Sequence, residues 1–359
     1  MNIHLICIQT YHAHWAGHSG YHHFLSRLPE DILVTHLRIP REQVSGKELR
    51  GAEKLWFRLV THWAKRRVNP WTTQNDLLAE FRLLKRVRKS LKGSEKVIVH
   101  FLDGEIGYNF FSSLSQTLGS DKERVRIIVS YHQPCSILEK VLPHKVRTKE
   151  LDMVLTVGTS QFPFFNFLPE ERLRFVPHGI DTDYFRPANR PTDDTQVYCL
   201  TVGHWLRDFD TLEQVIRSAP KQVIFRIVAG KEHIKQFTSL KNVELYSGIA
   251  DEELLRLYQN SDIGLMPLQD STANNGLLEM MACGLPVISS RVGSVGDYLP
   301  EKSGILIDGN DPEAFLLAVK RLADSLAERR SFGEAARNRA LELDWTNIAG
   351  QMAEIYHGV

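Results

Sequence analysis

Short runs rich in β-branched and apolar residues alternate with helix-length segments along the whole chain, the pattern of parallel sheets covered by helices on both faces. The runs NIHLICI, DILVTHL, KVIVHF, VRIIVSY, DMVLTV and RFVP occupy the first half, and QVYCLTV, VIFRIVA, VELYSG, DIGLMPL, PVISS and GILID the second. Between the two sets lies RPANRPTDDTQ, residues 186–196, rich in proline and polar residues as linkers are. A length of 359 residues suits two domains, each large enough for its own core. The expected division is 1–186, 187–340 and a final helix over 341–359 able to pack back on the first domain. Residues 311–357 read as a run of helices, with Asp311 or Asn310 as N-cap before Pro312.

Composition excludes the disordered and fibrous classes, because 43% of the residues are hydrophobic and 24% charged. The opening MNIHLICIQT lacks the basic and long apolar regions of a signal peptide, and no later apolar run approaches the ~18 residues that span a bilayer. The cysteines Cys7, Cys135, Cys199 and Cys283 are scattered, without the paired spacing of a metal site or disulfide framework. A cytoplasmic protein is therefore expected. Net charge is +1, yet residues 41–96 carry 15 Lys/Arg against 6 Asp/Glu. Trp56, Phe57, Trp63 and Trp71 stand among those cations, a mixture suited to the headgroups of an anionic membrane. Peripheral association at the inner face of a membrane is the expectation, with a solvated basic helix or an anionic polysaccharide as alternatives. Nothing suggests nucleic acid as a partner.

The segment richest in chemistry is DIGLMPLQDSTANNGLLEMMACGLPVISSRVGSVGDYL, residues 262–299. Its order predicts a buried strand ending at Pro267, a polar loop from Gln269 to Asn275 and a helix from about Gly276. Such an order puts backbone amides and a positive helix end at the carboxyl edge of a parallel sheet, where phosphates bind. Glu279, in the first turns of that helix, can accept two hydrogen bonds from a ribose diol. From spacing alone it could equally be a carboxylate that complements the helix dipole.

In LLEMMACGLPVISS the segment resembles the donor-binding signature of the retaining GT-B glycosyltransferases, the glycogen-synthase-like group of glycosyltransferase family four. The resemblance implies an α/β fold of two Rossmann-like domains with parallel sheets facing a central cleft. It also implies transfer of a sugar from a nucleoside-diphosphate sugar, UDP being the commoner choice, to a carbohydrate or lipid-linked acceptor, as in polysaccharide or glycoconjugate synthesis. RFVPHGIDTDYFRP resembles the turn that closes the family's first domain, with His178 where Asn is usual. CLTVGHWLRDFDTL resembles the opening strand and glycine turn of its second domain. LYSGIADEELLRLYQNSDIGLMP resembles the stretch that clasps the base, which puts Gly248 and Ile249 against it. The N-terminal half matches more loosely.

Two departures bear on the donor site. The family's earlier Glu, eight residues before its helix Glu, is Ser271 here, beside Asp270. Thr272, Asn274 and Asn275 offer side chains in its place, and Gly276 and Leu277 offer amides. The Arg and Lys usual near the glycine turn are also missing: Gly203 is followed by His204, and the nearby fixed cation is Arg207. A guanidinium can fork onto two diphosphate oxygens, so Arg207 is expected to neutralise the leaving group, with Lys231 as a second candidate and a surface pair with Asp208 as the alternative.

In the first half, IVSYHQPCS places His132 after a strand, matching the family's active-site histidine near the anomeric carbon. Cys135 lacks the accompaniments of a nucleophile. The loop HAHWAGHSGYHHF resembles the family's N-terminal glycine loop and brings Gly17, Ser19 and Gly20 toward donor phosphates. Its histidines, His12, His14, His18, His22 and His23, invite a metal reading, but a metal site needs a specific ligand geometry and second-shell support that a sequence does not show, and no metal is expected there. HFLDGE offers His100, Asp103 and Glu105 as acceptor contacts. Asp181-Thr182-Asp183 has the form of an Asp-x-Asp metal motif but falls inside the domain-closing turn, so no cofactor and no catalytic metal are expected.

Same-face attack, with the departing phosphate assisting deprotonation of the acceptor, is preferred to a covalent intermediate because no carboxylate is placed as a nucleophile. A sugar-nucleotide epimerase of the same fold and a non-catalytic sugar-nucleotide binder are the alternatives. A nicotinamide enzyme is disfavoured, since no G-x-G-x-x-G follows the first strand of either half.

Overall fold

The structure is a computed structural model that describes residues 3–11, 17, 18, 20–40, 50–64, 70–142, 145–188 and 196–359. The chain divides into two compact units. The first comprises Met1–Trp15, Tyr21–Pro177 and Ile348–Val359; the second comprises Ala16–Gly20 and His178–Asn347. The break at Pro177 precedes the polar stretch 186–196, of which 189–195 lie outside the described residues.

The first unit holds β1 (Ile3–Tyr11), β2 (Ile32–Pro40), β3 (Lys96–Phe101), β4 (Val125–Tyr131), β5 (Met153–Thr156) and β6 (Leu173–Phe175), in the parallel order β2-β1-β3-β4-β5-β6. Strands β3 and β4 are near-continuous Val/Ile runs because both of their faces are covered. The helix Gln74–Ser90 starts at a capping box, Thr73 accepting from the Asp76 amide while Asp76 accepts from the Thr73 amide at 2.7 Å. Such a cap contributes about 1 kcal/mol. The helix buries Leu83, Leu84 and Val87 in the cluster that contains Ile8, Val97 and Val99.

The second unit holds β7 (Val197–Val202), β8 (Val223–Val228), β9 (Val243–Tyr246), β10 (Ile263–Met266), β11 (Val287–Ser290) and β12 (Gly304–Ile307), in the parallel order β12-β11-β10-β7-β8-β9. The direction of progression reverses between β7 and β10, and loops leaving the carboxyl ends of strands at such a switch form the usual ligand crevice of an open α/β sheet. The corresponding reversal in the first unit lies between β1 and β3. All twelve runs read from the sequence form strands.

The helix Pro312–Asp324 is capped by Asp311, which accepts from the Glu313 amide at 3.0 Å. Asn310 serves elsewhere, donating to Asp208 at 2.7 Å and to the Leu268 carbonyl at 2.9 Å. The helices Leu326–Glu342 and Trp345–Gly358 follow, and the latter from Ile348 onward belongs to the first unit. Among the described residues no helix is long and apolar enough to cross a membrane.

Candidate functional site

In the second unit the turn after β7 and the loop after β10 are built into one another. Gly203 takes φ +86°, a left-handed conformation that favours glycine, and a Cβ there would lie 3.0 Å from the Arg207 guanidinium. Leu206, at φ +55°, is the one non-glycine residue with positive φ among the described residues. Such a conformation costs an L-residue about 1–2 kcal/mol. It is held by the Gln269 amide donating to the Leu206 carbonyl at 2.9 Å and by an antiparallel bridge between Arg207 and Leu268.

Arg207 is neither the surface cation of one expectation nor a free fork for a diphosphate. Its Nε and Nη2 donate to the Val202 carbonyl at 3.0 and 2.7 Å, Nη1 donates to Trp205 O at 3.2 Å, and Nη2 also reaches Asn274 Oδ1 at 3.1 Å. The strained turn folds its carbonyls back onto the guanidinium, so the fork is spent inside the protein. Burial pushes its pKa down to about 10 against the opposing pull of Tyr258 and Glu279, leaving it cationic at neutral pH. Asp208 does not pair with it but caps the helix Phe209–Ser218 through the Thr211 amide at 3.0 Å.

Asn274 caps the helix Asn275–Ala282, accepting from the Leu277 amide at 3.2 Å. This corrects two expectations: the Asn274 side-chain oxygen is an acceptor already engaged by Leu277 and Arg207, and the Leu277 amide is consumed by the cap. The positive helix end remains, headed by Asn275 and Gly276. At Gly276 a Cβ would lie 3.4 Å from the Val202 carbonyl and 3.5 Å from the Arg207 guanidinium, so glycine lets the helix start close against the end of β7.

Glu279 is buried in this helix, 4% exposed, and its Oε2 accepts from the Tyr258 hydroxyl at 2.5 Å. Tyr258 lies on the helix Asp251–Gln259. In the preceding loop the Ser271 hydroxyl donates to the Thr272 carbonyl at 3.1 Å and its amide to Asp270 Oδ1 at 2.8 Å, and both Ser271 and Thr272 are buried. Ser271 is thus turned onto the main chain, and Asp270 orders the loop.

Around this core, His204 stacks on His233 with centroids 4.7 Å apart, and Lys231 is exposed at the start of the short helix Lys231–Ile234. Gly248, at φ +66°, turns the chain after β9, while Ile249 packs against the core cluster containing Tyr258. Gly20 is buried; Ser19, His12 and His14 lie outside the described residues. Asp181 accepts from the Tyr184 amide at 3.1 Å and Thr182 donates to Asp344 at 2.6 Å, so the Asp-x-Asp sequence forms a turn.

In the first unit, loops after β3 and β4 bring His132, Asp103 and Glu105 together. The His132 amide donates to Glu105 at 3.1 Å, and its Nε2 donates to the Leu102 carbonyl at 2.6 Å. A carbonyl only accepts, so Nε2 carries the proton and Nδ1 is the acceptor nitrogen. Burial pushes the His132 pKa down to about 4, and the imidazole is neutral at pH 7.

His100 and Glu105 do not fit the role of acceptor contacts. His100 is fully buried between Tyr356 and Ser130, and Glu105 is 3% exposed with a pKa pushed up to about 7 by burial. His100 lies inside β3, and Glu105 is drawn inward by the His132 amide. Asp103 is partly buried, and desolvation with Glu105 nearby holds its carboxyl well above the usual range.

Sequence reasoning passed over Tyr258 and read Asn310 only as a possible helix cap, not as a residue that ties Asp208 to the loop after β10. A tyrosine among the apolar positions Leu254 and Leu257 of one helix was the available signal for the first. Asn310 carried none.

A capped helix, a buried carboxylate and a buried cation thus stand together at the switch point of a Rossmann-like sheet. The family described as Glycosyl transferases group 1 matches residues 199–325, most of the second unit, and this stretch is similar to that family. D-inositol 3-phosphate glycosyltransferase of Corynebacterium urealyticum is 35% identical over 109 residues, 30% of this chain and 26% of that protein. MMP alpha-(1->4)-mannosyltransferase of Mycolicibacterium hassiacum is 29% identical over 199 residues, 52% of this chain and 48% of that protein. The chain thus spans about a quarter to a half of these relatives. Anabaena HepE, solved with UDP and glucose, shares the fold over 99% of this chain and 100% of its own at TM-score 0.68 and 13% identity.

Proposed function

We propose that the chain transfers a sugar, with retention of anomeric configuration, from a nucleoside-diphosphate sugar to a carbohydrate or lipid-linked acceptor. The observation that carries this is the pairing of the Asn274-capped helix end with Glu279 four residues inside it, beside the buried Arg207. The diphosphate lies at the helix end, where the dipole and the Arg207 charge offset the charge that develops as the leaving group departs. Glu279, with one oxygen engaged by Tyr258, accepts from the ribose with its carboxylate. Uridine is the preferred base, a choice supported by Anabaena HepE having been solved with UDP-glucose.

We assign His132, at the carboxyl end of β4, to the transferred sugar. Neutral, with Nδ1 as acceptor, it receives a hydrogen bond from a hydroxyl of the transferred sugar rather than donating one. A thermal-shift screen against UDP, GDP and ADP tests the donor assignment, because a ligand that binds only the native state raises the melting temperature as its concentration exceeds Kd. A concentration-dependent rise with at least one of them is expected; no shift with any at millimolar concentration contradicts the assignment.

The exposed cations Arg82, Lys85, Arg86 and Lys89 on the helix Gln74–Ser90, with exposed Lys54 and Leu55 on the helix Gly51–Ala64, support peripheral attachment to an anionic membrane and a lipid-linked acceptor. Trp56 stacks on Phe81 with centroids 5.5 Å apart, and the Trp63 side chain lies outside the described residues. Sedimentation with anionic liposomes at low salt, lost at high salt, is expected. Equal sedimentation with neutral and anionic liposomes contradicts it.

A further inference from the structure

We propose that the Tyr184 hydroxyl donates a hydrogen bond to the ribose of the nucleotide, and that His18 and Asp181 are positioning residues that hold its ring in place. The proposal deepens the reading of Glu279 as the ribose contact and rests on it. All the residues concerned belong to the second unit, which takes in Ala16–Gly20 as well as His178–Asn347.

Two runs that invite a metal reading, the histidine-rich loop and Asp181-Thr182-Asp183, meet at Tyr184. His18, from the loop, lies flat on the Tyr184 ring, with centroids 3.5 Å apart and planes at 6°. Its Nδ1 hydrogen-bonds to Asp181 Oδ2 at 3.1 Å. Asp181 Oδ1 accepts from the Tyr184 amide at 3.1 Å, so one carboxylate fixes both the stacked histidine and the main chain that carries the tyrosine. The Gly17 amide donates to Asp251 Oδ2 at 3.0 Å, which ties the same loop to the first residue of the helix that carries Tyr258. Tyr184 itself packs against the apolar cluster that contains Tyr258, Leu277 and Leu278, the residues around Glu279.

A ring held in this way presents a hydroxyl that the fold does not use. The Tyr184 hydroxyl oxygen is buried and has no hydrogen-bond partner among the described residues. A buried polar group left unpaired costs stability, and phenylalanine would fill the same stack without that cost. Burial holds the phenol above its usual range, helped by the carboxylates of Asp251, Glu252, Glu279 and Asp181, so it is an O–H donor at neutral pH. A carboxylate only accepts, whereas each ribose hydroxyl carries one proton and two lone pairs. Glu279 takes protons of the diol, and Tyr184 supplies the donor that Glu279 cannot.

The test is calorimetric titration of UDP into the full chain, beside a melting curve, for wild type, Tyr184→Phe, His18→Ala and the pair. Tyr184→Phe should weaken UDP binding by roughly three- to tenfold, the worth of one neutral hydrogen bond. Its melting temperature should stay level or rise, because an unpaired buried oxygen is removed. His18→Ala should weaken UDP binding to a similar degree, and in the Tyr184→Phe background it should have no further effect. Undiminished affinity in Tyr184→Phe overturns the contact, whatever its melting temperature. Equal losses from His18→Ala with and without the hydroxyl overturn the positioning role. Wild-type protein that binds none of UDP, GDP and ADP removes the donor reading itself, whereas wild-type binding beside an inert Tyr184→Phe rejects this inference alone.

Discussion

Replacing Glu279 with glutamine is expected to weaken binding of the nucleoside diphosphate by roughly ten- to a hundredfold, at about 1.4 kcal/mol per decade. The substitution keeps size and helix propensity, and the amide oxygen can still accept from the Tyr258 hydroxyl that Glu279 Oε2 now engages at 2.5 Å. The change then falls on the ribose, which meets an amide N–H where it met a carboxylate oxygen. A hydrogen bond to a charged group contributes about 1.5–3 kcal/mol, and a donor facing a donor recovers none of it. A carboxylate serving only the helix dipole predicts otherwise: a loss of a few tenths to ~1 kcal/mol in stability with binding nearly intact. Calorimetric titration of UDP beside a melting curve separates the two. Wild-type affinity in a slightly destabilised variant rejects the ribose contact.

Gly293→Ala should disrupt the loop Asp270–Asn274, to which we assign the donor. Gly293 sits at φ +51°, and an added Cβ would overlap the Ser271 carbonyl oxygen and lie 2.8 Å from Asp270 Oδ1. The obstacle is main chain, already fixed by the Ser294 amide donating to that same Ser271 carbonyl at 2.9 Å, so rotamer changes cannot relieve it. Backbone strain and overpacking together should cost about 2–4 kcal/mol of stability. The loop Asp270–Asn274 must shift, and with it the Asn274 cap that holds the helix end against Arg207. Loss of measurable UDP affinity in a folded, destabilised variant is expected. Unchanged melting temperature and affinity would mean that the loop is not held as described.

The strands were legible in the sequence because their Val/Ile runs are long enough to mark sheets buried on both faces. The capped helix and Glu279 were legible because strand, polar loop and helix follow one another within 262–299. Local order did not reveal where Arg207 sends its guanidinium, since that depends on the left-handed turn at Leu206 and on Asn274 far along the chain. His100 was misjudged for the same reason: the group that buries and satisfies it, Tyr356, comes from the last helix. The unit boundary fell earlier than the polar stretch because residues from His178 onward are bonded into the second unit, His178 to Tyr298 and Phe185 to Arg337.

Proton NMR of UDP-glucose incubated with the protein, with and without an acceptor extract, tests sugar transfer most directly. Release of UDP with a transferred sugar in the α configuration of the donor, lost in Glu279→Gln at subsaturating donor, is the result expected of a retaining glycosyltransferase. An epimerised sugar nucleotide without UDP release, or a product of inverted configuration, would contradict it.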